Sequence, residues 1–380
     1  MNTGIPASPT VLTAAHVVTP EGIRSGGWVA IDDGRIREVG DAPAPRDAVD
    51  LGDGWLLPGF VDLHMHGGGG FDVTKSRDHM LEAVRFHRTH GTTSTLVSLM
   101  AAPVDDLCEQ LGWANDLVAR GEIVGVHLEG PFLSAARCGA QNHEHLMSPD
   151  RAVLAKLLDA AAGSLRTMTV APELPGALDL VEDLLDAGVV AAVGHTDASY
   201  EQTAAAFEAG ARLTTHLFNG MGPILQRGPG PAVAALDTDA VVVELINDGM
   251  HLHPALVRLV ARLAPRRLAL ITDAISAAGV GDGEYTLGGR EVRVREGRAV
   301  LNGSERLAGS TLTMDDAVRR LVQDIGVGVD VAAAAAATTP ASVLRMGQRS
   351  GVVAPGFDAD VVLLDNNLGL SRVMRRGRWL

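Results

Sequence analysis

The sequence predicts an α/β protein: a (β/α)8 barrel of the TIM type carrying a small β-sandwich domain formed from both chain termini. Two patterns carry that expectation. From Trp55 onward, short apolar runs alternate with longer Ala-, Leu-, Glu- and Arg-rich stretches of helical period, the signature of βα units around a parallel sheet. Both ends of the chain instead carry strand-like segments broken by turn residues, which suggests that the termini meet in one composite β-domain. A length of 380 residues suits a large barrel with an appendage, with the small domain at 1–54 and 351–380 and the barrel at 55–350.

Val11–Val18, Trp28–Ile31 and Ile36–Val39 read as strands, the last two joined by an Asp32-Asp33-Gly34 turn. Eight apolar runs then supply the barrel: Gly59–His64, Ser94–Ser98, Ile123–Leu128, Arg166–Ala171, Val189–Gly194, Arg212–Thr215, Val241–Ile246 and Leu268–Thr272. After Asp273 the alternation stops. Tyr285–Leu287, Glu291–Arg295 and Ala299–Leu301, separated by Gly-Gly and Glu-Gly turns, form an expected β-hairpin insertion near 284–302. Thr313–Asp324 and Val331–Leu344 are helical by composition, the second interrupted at Thr338-Thr339-Pro340. Asp360–Leu364 and Leu370–Met374 return to strand.

Hydrophobic residues at 46% and charged residues at 21% exclude a disordered or collagenous chain. With 32 basic and 46 acidic residues the net charge is −14, a field that repels nucleic acid and anionic membranes. The expected partner is therefore a small molecule, and an anionic one must meet a local basic group. Cys108 and Cys138 are too few for a disulfide framework or a thiolate-rich zinc site and fit a reducing compartment. Met1–Thr10 lacks the pattern of a signal peptide, and no apolar stretch approaches the roughly 18 residues of a membrane span, so the expected location is the cytoplasm.

Among 13 histidines, position has to decide which bind metal. His64-Met65-His66 closes the first expected barrel strand, where the two-residue alternation sends both imidazoles to one face. His143-Glu144-His145 and His251-Leu252-His253 sit in loops or helix starts, without that geometry. Glu129, His195, His216 and Asp273 each lie at the carboxyl end of an expected strand, where active sites of this barrel are built. Six nitrogen and oxygen ligands would then converge on one pocket, a set suited to Zn²⁺, Fe²⁺ or Mn²⁺. His127, one pleat deeper than Glu129, is expected to be a hydrogen-bonded interior residue.

Pro58-Gly59-Phe60-Val61-Asp62-Leu63-His64-Met65-His66 resembles the opening signature of the amidohydrolase superfamily. His-Leu-Glu-Gly-Pro-Phe at 127–132 resembles, more narrowly, the N-acetylglucosamine-6-phosphate deacetylases. Gly194-His195-Thr196, the Thr215–Met221 segment, Asp248-Gly249-Met250-His251, Thr272-Asp273-Ala274 and the Gly356–Val361 segment are similar in the same order. The resemblance implies hydrolysis of the N-acetyl amide of N-acetylglucosamine 6-phosphate, with Glu129, His195 and His216 on the principal metal and Asp273 as acid/base. Some members lack the first-strand His pair and use one metal. Here His64 and His66 favour a second ion bridged by Glu129, which gives one or two divalent ions per subunit, Zn²⁺ first and Fe²⁺, Mn²⁺ or Co²⁺ as alternatives.

The resemblance also implies a homodimer in which Arg227 reaches the neighbouring site, with Asn219 and Gly220 helping to hold the ligand. Arg227 and His251 are the candidates for the phosphate, because a guanidinium fork matches its oxygens. Leu307-Ala308-Gly309 resembles a further substrate loop. It also implies substrate contacts from Ala140 and Gln141; some members carry a substrate-contacting His where Gln141 stands, and Gln donates a hydrogen bond but carries no proton, so it offers no proton transfer there. Cys138, in the same loop, is either a reactive thiol or, as loop cysteines more often are, without a role. The rivals are an amidohydrolase for N-acetylgalactosamine 6-phosphate or a cyclic amide, and a non-catalytic scaffold. The intact six-ligand set argues against the scaffold, and Arg227 with His251 argues for a phosphorylated substrate.

Overall fold

A computed structural model describes residues 10–347 and 349–380; the expectations placed on residues 1–9 lie outside these. The barrel strands are β1 (Phe60–Asp62), β2 (Thr92–Met100), β3 (Gly125–Glu129), β4 (Leu165–Val170), β5 (Val190–Val193), β6 (Leu213–Thr214), β7 (Val242–Ile246) and β8 (Leu268–Ile271). They pair in sequence order, all parallel. Burial on both faces explains their composition, and all nine residues of β2 are buried.

The seam between β8 and β1 is closed at the carboxyl end. Met65 and Ala274 form a parallel bridge there. The Asp273 amide donates to the His64 carbonyl at 2.8 Å and the His66 amide to the Ala274 carbonyl at 2.9 Å. Beneath them the buried Asp62 carboxylate accepts from Thr272 Oγ1 at 2.6 Å and from the Thr272 amide at 3.3 Å, and burial pushes its pKa up to about 6. Side chain and main chain together thus pin the two strand ends that present His64, His66 and Asp273.

Each strand is followed by a helix: α1 (Arg77–Thr89), α2 (Val104–Ala119), α3 (Arg151–Ala161), α4 (Ala177–Asp186), α5 (Tyr200–Glu208), α6 (Gly230–Asp237), α7 (Pro254–Leu263) and α8 (Met314–Gln323). In α2, Leu107, Leu111, Ala114 and Leu117 recur at helical spacing and face the sheet. Each buried Leu contributes roughly 1.5–3 kcal/mol. Ser199 and Gln202 start α5 as a reciprocal capping box. No helix among the described residues is long and apolar enough to cross a membrane.

Between β8 and α8 the strands Gly283–Leu287, Arg290–Arg295 and Arg298–Leu301 form an antiparallel sheet. Its Leu287, Val292 and Val294 pack on Met100 and Ile275 at the barrel mouth.

The two chain ends meet in a second unit. Val361–Leu364 pairs antiparallel with Trp55–Pro58 inside a six-stranded sheet, which therefore reaches beyond residue 54. A four-stranded sheet faces it, and Leu12, Val17, Val29, Leu56, Val361 and Met374 share the core between them. The Asp32-Asp33-Gly34 turn has φ of 49° at Asp33 and 70° at Gly34, as a tight hairpin needs.

Two expectations are corrected here. The single strand Val11–Val18 is two, Thr10–Thr13 and His16–Thr19, in different sheets, because the Ala14 and Ala15 amides turn to the Gly27 and Gly52 carbonyls. The helical run does not stop at Thr338-Thr339-Pro340 but continues from Val329 to Val343. One wider turn over Ala334–Thr338 precedes Pro340, which sits near the start of the next turn, where its missing N–H costs little.

Candidate metal centre

His64, His66, Glu129, His195, His216 and Asp273 gather at the carboxyl end of the barrel, none more than 7% exposed. His195, His216 and Asp273 have φ of 47°, 27° and 48°. That left-handed backbone costs a non-glycine residue on the order of 1–3 kcal/mol. Its occurrence at the ends of three barrel strands, β5, β6 and β8, marks a site held against local preference.

The six fall into two groups whose ligand atoms lie within 4.8 Å of one another: His64, His66 and Asp273, and Glu129, His195 and His216. Glu129 Oε1 is 2.9 Å from His195 Nε2 and 3.0 Å from His216 Nε2. Glu129 Oε2 lies 3.3 Å from His66 Nε2, and Asp273 Oδ1 lies 3.4 and 3.3 Å from Nε2 of His64 and His66. One carboxylate thus turns an oxygen toward each group, which is the placement of a bridge.

The outer nitrogens fix the rings. His66 Nδ1 lies 3.1 Å from the Ser98 carbonyl, His195 Nδ1 2.9 Å from that of Arg137, and His216 Nδ1 3.2 Å from that of Asn219. A carbonyl only accepts, so each Nδ1 donates to its carbonyl and each Nε2 is the nitrogen left facing the centre, where it can serve a metal. For His64 the outer partner is the buried Glu244, whose Oε2 is 3.5 Å from Nδ1 and also accepts the His216 amide at 3.2 Å. Sequence reasoning passed over Glu244. The available signal was a carboxylate in the middle of the apolar run Val241–Ile246.

Burial by itself would raise both central carboxyls, but the imidazoles outweigh it. Glu129 is held well below the carboxylate range and Asp273 at about 2. Conversely, burial would lower His64 and His66, yet Glu129 and Asp273 raise them, His66 to about 9. The centre therefore favours positive charge. Inward-facing imidazoles, ionised carboxylates and no thiolate fit a divalent ion of the zinc type.

His127 is the interior residue expected: its ring nitrogens lie 3.0 Å from Ser98 Oγ and 2.8 Å from Thr169 Oγ1, and burial pushes its pKa well down. Gln141 reaches the centre with its carboxamide already committed. Its Nε2 donates to Glu129 Oε2 at 2.7 Å, and its Oε1 accepts from the Ala101 amide at 2.9 Å. Gln141→Leu is therefore expected to weaken metal binding by about 10–100-fold, the usual cost of losing a group that orients a ligand. Titration of metal-free protein with Zn²⁺ checks this, and unchanged affinity would reduce Gln141 to a loop residue.

Gly220 has φ of 61°, and a Cβ there would fall 2.9 Å from His195 Nδ1, so the backbone beside Asn219 approaches the ring as only glycine allows. Gly309 is similar, since a Cβ would lie 2.8 Å from the Asp273 carbonyl, which places the loop of Leu307, buried Ala308 and Gly309 against Asp273. Ala140 packs on the core of the inserted sheet. His251 Nδ1 lies 2.7 Å from Asp248 Oδ2; burial pulls the ring's pKa down, but that carboxylate, with Asp273 adding, holds it above its ordinary value.

Arg227 stands apart from the six. It is exposed in a loop closed by reciprocal Leu225–Gly228 main-chain hydrogen bonds, and its guanidinium has no partner among the described residues. The remaining His-x-His residues do not assemble into a further ligand group among the described residues. His143 Nε2 lies 3.0 Å from Sγ of the buried Cys138, and His253 caps α7.

A model of the amidohydrolase family matches residues 55–380. A mutant N-acetyl-D-glucosamine-6-phosphate deacetylase of Mycobacterium smegmatis, solved with N-acetyl-D-glucosamine-6-phosphate, is 42% identical with a TM-score of 0.95, over 98% of this chain and 99% of that one. The N-acetylglucosamine-6-phosphate deacetylase of Lysinibacillus sphaericus is 36% identical over 362 residues, 92% of each chain. The N-acetylgalactosamine-6-phosphate deacetylase of Escherichia coli O157:H7 is 35% identical over 373 residues, 97% of this chain and 98% of its own.

Proposed function

The chain belongs to the amidohydrolase family, and on that premise we propose that it hydrolyses the N-acetyl amide of N-acetylglucosamine 6-phosphate to glucosamine 6-phosphate and acetate. The observation that carries the reading is Glu129, with one oxygen toward each of two three-ligand groups and Asp273 in the second. Glu129, His195 and His216 would hold the principal ion, zinc by donor type, and His64, His66 and Asp273 would share Glu129 with a second. A divalent ion there polarises an amide carbonyl and lowers the pKa of a bound water from 15.7 to about 7.

The chain's own groups do the rest. Asp273, ionised at neutral pH, accepts the proton of the attacking water and delivers it to the amide nitrogen as the C–N bond breaks, leaving acetate and a free amine. His251, held by Asp248, and Arg227 of a partner chain take the phosphate. Asn219, Gly220 and the 307–309 loop face the sugar, with Ala140 and Gln141 behind it. Exposed Ile224 (50%) and Leu225 (56%) beside Arg227 give that loop an apolar tip suited to a homodimer contact. Two free cysteines suit the cytoplasm.

Acetate release from N-acetylglucosamine 6-phosphate by metal-loaded protein tests the reading, run beside the unphosphorylated sugar and the galactosamine isomer. Preference for the isomer would transfer the assignment to the activity of the Escherichia coli relative, and no release from either would end it. Arg227→Ala is expected to raise KM for the phosphorylated sugar about ten- to a hundredfold, since a charge-assisted hydrogen bond contributes about 1.5–3 kcal/mol, and to spare the unphosphorylated sugar. Mixed dimers of Arg227→Ala and Asp273→Asn chains should recover activity, because half their sites combine an intact Asp273 with a partner's intact arginine. No recovery would place Arg227 in its own subunit's site.

A further inference from the structure

At the opposite end of the barrel, a cavity of about 1000 Å³ opens between the amino ends of β2 to β4 and the small domain. The nine residues of β2 separate it from the metal centre by roughly 25 Å. Its lining is cationic, in a protein whose net charge is −14.

Arg345, Arg349, Arg376 and Arg378 line it, and their guanidinium groups have no ion-pair or hydrogen-bond partner among the described residues. Three more are anchored. Arg375 donates to the Thr93 carbonyl at 3.1 Å and to that of Gly121, Arg166 to the Leu344 carbonyl, and Arg35 to the Gly356 carbonyl at 3.1 Å. Those carbonyls hold the side chains without neutralising them.

Among the described residues, three carboxylate side chains face the same space, those of Asp33, Asp358 and Asp360. Asp358 sits 3.7 Å from Arg35, and Asp360 is occupied by the Arg376 amide at 2.7 Å. The crowding of positive charge is visible at Arg375, whose pKa falls to about 10 through burial first and then through Arg88 and Arg376. Holding like charges around an open space is unfavourable unless an anion completes it.

We infer that this cavity is a binding site for a phosphorylated small molecule carrying two or more negative charges, separate from the metal centre. Guanidinium forks bind phosphate oxygens in pairs, and the volume accommodates a ligand of metabolite size. The site stands independently of the deacetylase reading.

Calorimetric titration of the metal-loaded protein with fructose 1,6-bisphosphate, a two-phosphate probe, tests it, with inorganic phosphate as the single-charge-centre control. One saturable site per chain is expected, tighter for the bisphosphate and weakening with salt. It should persist in His195→Ala/His216→Ala and weaken at least tenfold in Arg376→Glu/Arg378→Glu. Arg345→Gln/Arg349→Gln, which changes the other wall, gives the same test should the charge reversal prevent folding. Absence of saturable binding, binding lost only in the histidine variant, or unchanged affinity in both arginine variants would overturn the proposal.

Discussion

Asp273→Asn is expected to lower turnover at least 10²- to 10⁴-fold while the protein keeps its fold and its metal. The fold survives because the substitution respects the backbone. Asp273 has φ of 48°, a region that Asn tolerates better than most residues, and the amide hydrogen bond to the His64 carbonyl that seals the barrel is untouched. An Asn Oδ1 could still face His64 and His66, so an ion held by that group would lose a charged ligand but keep an oxygen donor. What disappears is the ability to take a proton from water and pass it to the departing nitrogen. The measurement is kcat of the reconstituted variant beside its metal content. A variant within a few-fold of the parent would move the acid/base role to another residue.

The barrel and the six converging side chains were legible because two local rules act together: alternation along a strand fixes the face, and the carboxyl end of a barrel strand fixes the depth. His64, His66 and Glu129 follow from those rules alone. What orients them was not legible. Three imidazoles lean on the carbonyls of Ser98, Arg137 and Asn219, and a main-chain carbonyl leaves no trace in residue type. Glu244 acquires meaning through His64, which stands 180 positions earlier, and through the His216 amide. Gln141 is expected at the substrate because it stands where some family members carry His; that its carboxamide also binds Glu129 and the Ala101 amide was not legible. The split of the first strand at Ala14 and Ala15 depends on which sheet offers acceptors, a tertiary matter. The arginine cavity draws on residues from Arg35 to Arg378, and no sequence window contains it.

Removing the principal metal should cost nearly all activity, and the two histidine pairs should separate by stoichiometry. His195→Ala or His216→Ala deletes one of the three donors of the Glu129, His195 and His216 group, and alanine offers nothing in place of the lost Nε2. Without the ion, attacking water keeps its pKa of 15.7 instead of about 7 and the carbonyl is no longer polarised, so neither chelated protein nor these variants should turn over. Zn²⁺, Fe²⁺, Mn²⁺ or Co²⁺ should restore the chelated parent but not the variants. His64→Ala and His66→Ala leave His195, His216 and Glu129 intact, so elemental analysis should find one ion per chain where the parent, on the proposed reading, should hold two. Thermal unfolding of each variant separates metal loss from misfolding. At most one ion in the parent, whether or not His64 and His66 are present, would refute the bridged pair, and full turnover after verified metal removal would refute the metal mechanism itself.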